Sequence, residues 1–449
     1  MGLGSYRGQA MSSLLAVLFI TLLFIGTAWY VSYFFPIIST AERIGLSFLL
    51  GSGLGTFIWY ILYLLGFSLT FSSLILSCCL LTVVGMITSR HPMGKKKTVI
   101  EKWSGLDRLI LLLIVIGLVS AFTIGSFNPI TAWDSMALYD SRAHMIVLNH
   151  SLKDIVDSSY YLSYPLFVSL LHAAINFIGG DNPQGIHAII FSAFLGIIYG
   201  RLRTWTNHRY ALLGTFLNLT IYELLSHSTI AYANLAYTAF LLAGMFYAVS
   251  EDKKSHGQFL ILSGLMLGLS TWVRMTEIFW VLGLALIFWR GYRLHRLPSF
   301  VYSLILFFVI KQGWAFYYAS LVKSLAVPPL SPSSILSFET MRNIATNIPQ
   351  ILIYLKNNVI VPYFGFWGLA TGVAIISFKL PTSRALTLTL LAVASFLVTA
   401  VGTTVYSTFF PSWFAIGDSV RRMLMFISPL TMTSAIIALY SLNKNKDVK

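Results

Sequence analysis

Charged residues are scarce in this sequence. Asp, Glu, Lys and Arg together make up 10% of its 449 residues, whereas soluble proteins carry about 25%. Hydrophobic residues make up 57% and aromatic residues 15%, which argues against disordered and fibrous proteins as well as soluble globular ones. What remains is a protein that crosses a membrane many times.

Cysteine is almost absent. Cys78 and Cys79 are the only two, and they are neighbours inside an apolar run. Two adjacent cysteines cannot form a disulfide framework or a four-ligand zinc site. We therefore expect no structural metal, and these residues indicate no cofactor.

Long apolar runs dominate the chain. One membrane-spanning helix needs about 20 apolar residues, and each run should be helical because the bilayer offers backbone groups no other partner. The runs lie near 12–35, 43–66, 69–88, 108–124, 160–179, 185–200, 210–226, 229–249, 258–273, 277–289, 299–321, 359–378, 385–405 and 423–442. The sequence thus predicts an all-α polytopic membrane protein with about 13 to 14 transmembrane helices.

Basic residues mark one side of the membrane. Although the net charge is +15, 19 of the 30 Lys and Arg residues lie in six short segments that flank apolar runs. This distribution is typical of cytoplasmic loops, so membrane topology rather than nucleic-acid binding explains the charge. The six segments are 90–108, 201–209, 253–254, 290–296, 379–384 and 444–449. The expected outer loops are 125–158, 323–358 and 406–422.

The same boundaries divide the chain into three parts. We expect an N-terminal three-helix membrane segment over 1–89, a basic cytoplasmic loop over 90–107 and a membrane module over 108–449. Between the first two basic segments the chain must cross the membrane an even number of times, yet three apolar runs lie there. Run 160–179 carries several polar and aromatic residues, including Tyr164 and His172, and is therefore predicted not to span fully.

Acidic residues are few enough, 15 in all, to be sorted one by one. Most fall in cytoplasmic segments or short turns, where Glu42 is expected to be solvated. Four lie instead in the first outer loop, namely Asp134, Asp140, Asp154 and Asp157, and three lie at or inside the outer membrane boundary, namely Glu223, Glu277 and Asp418. Burying an ionised group costs several kcal/mol unless it is paired, so such residues are functional candidates by default.

Several of the basic residues outside the cytoplasmic segments complement these acids. They are Arg142, Lys153, Arg274, Lys311, Arg421 and Arg422. Arg274 precedes Glu277 by three positions, so the two are expected to pair on one helical turn. Acids and bases on one face predict a water-filled outer cavity that holds an anionic, lipid-bearing substrate.

The most informative stretch is N-P-I-T-A-W-D-S-M-A-L-Y-D-S-R-A-H-M-I, at 128–146, which follows a span and leads to Tyr164-Pro165-Leu166. Three further segments follow in order. They are A-Y-A-N-L-A at 231–236, V-R-M-T-E at 273–277 and D-S-V-R-R-M-L-M-F-I-S-P at 418–429.

This ordered set resembles the GT-C class of membrane glycosyltransferases, whose best-known groups are the protein O-mannosyltransferase-like and the lipid A aminoarabinose transferase-like enzymes. The resemblance is closest to a bacterial branch with a W-D-A-x-x-x-W-x-x-K-A-like loop. Its matches here are Trp133, Asp134, Tyr139, Arg142 and Ala143, with Tyr for Trp and Arg for Lys. The last segment is similar to an S-x-x-R-x-L-x-x-x-x-P element through Ser419, Arg422 and Pro429. Asn234 departs from the pattern, because the family has an acid there.

The resemblance implies a GT-C-like bundle whose early outer loop carries short interfacial helices. It implies an inverting hexosyl- or pentosyltransferase of the plasma (inner) membrane. The enzyme would move a sugar from a polyprenyl-phosphate donor, on the extracytoplasmic face, to a glycan, lipid or protein acceptor. The family includes metal-dependent and metal-independent members, and no metal ligand is assigned here.

The residue types suit that chemistry. Glycosyl transfer passes through an oxocarbenium-like state, and the acceptor hydroxyl must lose a proton to a base. Asp134 is the candidate base or acceptor-positioning residue. Arginine forks and lysine bind the departing phosphate, a role that falls to Arg142, Arg274, Lys311, Arg421 and Arg422, with Glu277 orienting Arg274. Secondary candidates are Asp140, Trp133, Tyr164, Asn234 and Ser419.

Two other functions fit a polytopic protein. A transporter or flippase of a lipid-linked or anionic substrate would favour internal repeats and paired broken helices, and no convincing repeat is visible. A polysaccharide polymerase or ligase would place its long loop late in the chain, whereas the acidic loop here is early. His172 and His227 are interpreted as helix-end residues rather than ligands.

The predicted topology can be tested with single cysteines in a background where Cys78 and Cys79 are replaced by alanine. An impermeant thiol reagent applied to intact cells should label a cysteine at 150 and leave one at 96 unlabelled, because the first lies in an outer loop and the second in a basic cytoplasmic loop. Labelling at 96 but not at 150 would reverse the whole arrangement.

Overall fold

The computed structural model describes residues 3–37, 39–89, 103–153, 155, 164–250, 256–275, 278–322, 337–379, 383–409 and 417–446. Throughout that part of the chain, every regular element is a helix. The protein is therefore an all-α polytopic membrane protein, as the composition predicted.

The helices are short at the centre of the sequence and long at its ends. In chain order they are α1 (Leu3–Tyr33), α2 (Thr40–Leu64), α3 (Phe71–Thr88), α4 (Gly105–Phe127), a π-helix (Ser135–Asp140), α5 (Ser141–Asn149), α6 (Phe167–Asn176), a 3-10 turn (Pro183–Gly185), α7 (Ile186–Trp205), α8 (His208–Leu219), α9 (Tyr222–His227), α10 (Ala233–Val249), α11 (His256–Val273), α12 (Trp280–Arg293), α13 (Leu297–Val322), α14 (Phe338–Leu355), a second π-helix (Lys356–Ile360), α15 (Phe364–Lys379), α16 (Ser383–Phe409), α17 (Gly417–Arg421) and α18 (Leu424–Lys446).

Fewer helices meet the length and hydropathy of a span than the 13 to 14 expected. Within the described residues eight do, or nine if the pair Phe338–Ile360 and Phe364–Phe378, bent by 90°, counts as one broken span. Run 210–226 is divided between α8 and α9. Helix α6 has ten residues, which rise about 15 Å, half of the roughly 30 Å hydrocarbon core. This agrees with the expectation that run 160–179 does not span.

The chain forms two compact units, Met1–Ala315 and Phe316–Lys449. In the first unit, all 17 residues of α10 are buried, and a helix that is apolar and buried on every side is a core helix. Helices α7 and α11 pack against it. In the second unit, α16 packs against α18 and α14, and α15 packs against α18.

Glycines bring α2 and α7 into close contact in the first unit. A Cβ atom at Gly45 would overlap the carbonyl group of Ala193, and one at Gly200 would overlap the side chain of Glu42. Gly196 and Gly200 form a G-x-x-x-G pattern, which lets two membrane helices approach closely. The two helices run antiparallel, so the start of α2 lies beside the end of α7.

A buried ion pair lies at this contact. The Nε atom of Arg201 is 2.6 Å from Oε1 of Glu42, and its Nη2 atom donates a hydrogen bond of 2.8 Å to Oε2. Glu42 is 0% and Arg201 1% exposed. The predictions that Glu42 is solvated and that Arg201 is simply a loop residue were therefore wrong. Each charge is buried because the other, 159 positions away, neutralises it.

Arg201 also contacts two further helices. Its Nη1 atom donates a hydrogen bond of 3.3 Å to Ser250, directly after α10. Its guanidinium group lies 5.3 Å from the ring centroid of Tyr247 on α10 and 4.9 Å from that of Phe259 on α11. One cation thus joins α2, α7, α10 and α11.

Glu42→Gln should lower the free energy of unfolding by about 3–5 kcal/mol, because it leaves the Arg201 charge buried without its counterion. The measurement is unfolding of the purified protein in mixed micelles. The double variant Glu42→Gln with Arg201→Met should lose less than Glu42→Gln alone.

A matched control is Arg209, whose side chain is 59% exposed and pairs with Asp107 at 3.3 Å. Asp107 is buried but also accepts hydrogen bonds from the N–H and the hydroxyl of Ser104, so Arg209→Gln should cost no more than about 1 kcal/mol. Equal losses for Glu42→Gln and Arg209→Gln would contradict a special role for the buried pair.

Candidate functional site

The loop after α4, which the sequence predicts to lie outside, contains an irregular helix at the predicted site. Residues 135–140 form a π-helix that continues into α5, and the N–H of Ser141 donates to the carbonyl of Met136, five residues back. Such π-helical turns are rare and occur frequently at functional sites. The W-D motif stands at the start of this turn, and Asp140 stands at its end.

The side chains of this loop divide into an exposed edge and a buried face. Trp133 is 69% exposed, Asp134 is half-buried, and Tyr139, Arg142 and Ala143 are buried. The buried face of α5 packs against α6. Trp133 therefore lies on the exposed edge, and Asp134 beside it is partly accessible to solvent.

Arg142 joins this loop to the Tyr164-Pro165-Leu166 segment by a hydrogen bond. Its Nη1 atom donates a hydrogen bond of 3.2 Å to the backbone carbonyl of Tyr164, and only 2% of the residue is exposed. Burial lowers the pKa of the Arg142 guanidinium to about 10, so the group still carries its charge at neutral pH.

Arg274 approaches the same tyrosine from a distant part of the sequence. It follows directly after α11, and its Nη2 atom donates a hydrogen bond of 3.1 Å to the hydroxyl oxygen of Tyr164. The guanidinium carbon lies 5.1 Å from the centroid of the tyrosine ring. Tyr164 thus holds two predicted donor-binding arginines, one through its backbone and one through its side chain.

The predicted partner of Arg274, Glu277, lies outside the described residues, and their pairing stays a prediction. Lys311 is half-buried on α13. Its Nζ atom lies 5.4 Å from the ring centroid of Trp280, the first residue of α12. A cation over a tryptophan face is held electrostatically by the ring, so Lys311 is positioned near the turn that follows Arg274.

Asn234 is 2% exposed at the start of α10. Its Oδ1 atom is buried, and within the described residues it accepts no hydrogen bond. A neutral amide therefore occupies this buried position, where the resemblance would have placed an acid.

Three candidates lie in the second unit. Ser419 and Arg421 belong to α17, and Arg422 follows directly. All three are half-buried. Their predicted contact with the donor phosphate stays a prediction.

Sequence reasoning missed a pair of buried histidines. His172 lies inside α6 rather than at a helix end, so that interpretation was wrong. Its Nε2 atom is 3.3 Å from Nε2 of His187, in the first turn of α7. His227, by contrast, does lie at the end of α9, where its Nδ1 atom is 2.9 Å from the carbonyl of Glu223.

The histidine pair adjoins the candidate loop. The Nδ1 atom of His172 is 3.6 Å from Oδ1 of Asp140. A signal was present in the sequence, because positions 172 and 187 are equidistant from Gly179-Gly180. Two helices that reverse direction at that turn bring such positions together.

Within the described residues, no group of three or more His, Cys, Asp or Glu side chains is arranged to hold a metal ion. No protein-family model, curated protein or solved structure matches this chain.

The hydrogen bond from Arg142 to the carbonyl of Tyr164 can be tested with a reporter cysteine. Ala143 is 0% exposed, so Ala143→Cys, in a background without Cys78 and Cys79, should react slowly with a thiol reagent. Arg142→Gln removes a charged hydrogen bond worth about 1.5 kcal/mol or more, and labelling should accelerate about tenfold or more. Arg142→Lys should give an intermediate rate. An unchanged rate in Arg142→Gln would show that the bond to Tyr164 does not hold the loop closed.

Proposed function

We propose that this protein is a membrane glycosyltransferase that moves a sugar from a polyprenyl-phosphate donor to a hydroxyl acceptor on the outer face of the plasma membrane. The observation that carries the proposal is the assembly of Arg142, Tyr164 and Arg274. These residues come from three separate segments of the GT-C-like pattern, and the sequence alone predicts all three as candidates.

The assembly suits an anionic head group. Arg274 is half-buried rather than enclosed, and its planar fork offers donors to a phosphate in addition to its bond with Tyr164. Arg142 supplies a second fixed positive charge nearby. Two cations held by one tyrosine are preorganised, so they need little rearrangement when charge develops on the leaving phosphate.

The reaction balances with the groups of the outer loop. The bond between the anomeric carbon and the phosphate oxygen breaks, and its electron pair stays on the polyprenyl phosphate. The acceptor oxygen forms the new bond to the anomeric carbon, and its proton passes to a carboxylate. Asp134 faces the acceptor in this scheme, either as that base or as the group that positions the hydroxyl.

Lys311 and Trp280 extend the donor site. An aromatic face beside a cation binds a sugar or an isoprenoid chain without demanding a charge of its own. Trp280 opens the helix that follows Arg274 in the chain, which supports its placement beside the donor.

The test is transfer from a set of polyprenyl-phosphate sugars by the purified, reconstituted protein. Asp134→Asn should lower transfer by at least about 100-fold, because a positioned acid–base group contributes about 10²–10⁴-fold. Donor binding should persist, since the arginines are unchanged.

The matched control makes the same chemical change at an exposed carboxylate, Asp181. Asp181→Asn should transfer at the wild-type rate. Full activity of Asp134→Asn would remove that residue from the mechanism. Movement of a labelled polyprenyl-phosphate lipid across the bilayer, without any transfer, would replace the enzyme by a flippase.

A further inference from the structure

A cavity of about 280 Å³ lies where α12 turns back into α13. Its walls are apolar and aromatic side chains, one glycine and one histidine, namely Phe288, Gly291, Tyr292, His295, Leu297 and Phe300. The rings of Phe288 and Phe300 are in contact, with their centroids 5.7 Å apart. Sites for small molecules occupy about 300–1,000 Å³, so this cavity has room for part of a hydrocarbon chain.

The mouth of the cavity opens onto an apolar surface. Phe288, Tyr292 and Leu297 are 61%, 76% and 66% exposed. Helix α13 is long and apolar enough over Leu297–Ala319 to cross a membrane, and Ile305, further along it, is 50% exposed. An apolar surface on a spanning helix faces lipid, so a lipid chain reaches the cavity sideways from the bilayer. A soluble compound has no such route.

The turn beside the cavity is strongly basic. Arg293, in the last turn of α12, and Arg296, directly before α13, are both exposed. Asp and Glu are absent from 278–338, and the segment 251–254 before α11 has two acidic and two basic residues, which cancel. Because a candidate span begins at this turn, its positive charge lies at a membrane boundary, at the depth of lipid head groups.

The backbone of the turn directs His295 to the cavity. The N–H of Arg296 donates to the carbonyl of Gly291, and the N–H of His295 donates to that of Tyr292, both at 3.2 Å. This is the Schellman arrangement, whose left-handed position is usually glycine. Here His295 takes it, with φ at 53° less three, that is 50°. A side chain that can donate a hydrogen bond thus stands at the rim of an otherwise apolar cavity.

We propose that this cavity and its basic rim bind one molecule of an anionic phospholipid. An acyl chain enters the cavity, and the phosphate lies at Arg293, Arg296 and His295. Guanidinium groups bind phosphate oxygens through charge-assisted hydrogen bonds. The basic side is expected to be cytoplasmic, and basic pockets between spanning helices on that side bind anionic head groups. This site does not depend on the proposed glycosyl transfer.

The test is native mass spectrometry of the purified full-length protein in detergent, titrated with dioleoyl phosphatidylglycerol or dioleoyl phosphatidylcholine. One molecule of the anionic lipid should bind at least about fivefold more tightly than the zwitterionic lipid, which is the gain from one basic residue near a lipid surface. Inorganic phosphate at equal concentration should not displace it. Equal affinity for the two lipids, or displacement by phosphate, would overturn the proposal.

The charged rim is tested by substitution. Arg296→Gln should weaken binding of phosphatidylglycerol about fivefold, and Arg293→Gln with Arg296→Gln about 25-fold. Arg108→Gln is the matched control, because Arg108 is an exposed cation in the first turn of the spanning helix α4, away from the cavity. It should bind as the wild type does. Equal losses in Arg108→Gln and Arg296→Gln would show diffuse attraction in place of a site.

The cavity is tested with the charges kept. Leu297→Trp places a larger side chain in the wall and should weaken binding about tenfold, because the acyl chain loses its space. Val301→Trp is the control, since Val301 is 43% exposed on the same helix and does not line the cavity. Unchanged affinity in Leu297→Trp would show that no chain enters the cavity.

His295→Gly separates binding from folding. Glycine adopts the left-handed conformation without strain, so the midpoint of thermal unfolding without lipid should not fall. Loss of the hydrogen bond to the phosphate should weaken lipid binding about tenfold. Wild-type affinity in His295→Gly would contradict the placement of the phosphate at this turn.

Discussion

The buried guanidinium group of Arg201 constrains the first unit. Arg201 is neutralised by Glu42, donates to Ser250 and lies against the rings of Tyr247 and Phe259. Separating the two charges of such a pair leaves each one unpaired in a low-dielectric interior, which is costly. The four helices that meet there therefore cannot slide past one another independently. The small residues of the α2–α7 contact follow from this, because the carboxylate reaches the guanidinium only if the two helices nearly touch.

The same constraint extends to the candidate site through α7. Arg201 lies near one end of this helix and His187 near the other. The two residues are 14 positions apart, which is a rise of about 21 Å along the helix axis, and a helix bends little over that distance. The ion pair at one end therefore fixes where His187 meets His172, and hence where α6 presents its surface to the π-helix that carries Asp140.

Composition and apolar runs were enough to predict an all-α membrane protein, because the bilayer leaves the backbone no alternative. They were not enough for Glu42, since its burial depends on a partner far away in the sequence. At the site, Arg142, Tyr164 and Arg274 were chosen as candidates from a family resemblance and the charge pattern. That Tyr164 links the two arginines could not be predicted, because the segments bearing them are distant in sequence. The histidine pair is visible in the sequence only when positions on the two sides of the Gly179-Gly180 turn are compared, because neither histidine alone indicates a partner.

The π-helix over 135–140 contains one residue more than an α-helix of the same length would need. Each residue of an α-helix turns the chain by about 100°. The extra residue therefore sets the angle, about the helix axis, between the exposed Trp133-Asp134 edge and the face of α5 that packs against α6. Shortening this segment by one residue would leave every candidate side chain present while rotating Asp134 away from its place relative to Asp140 and Arg142. The length of the loop is thus part of the geometry of the candidate site, and an alignment that permits a gap here would join proteins whose carboxylates face different directions.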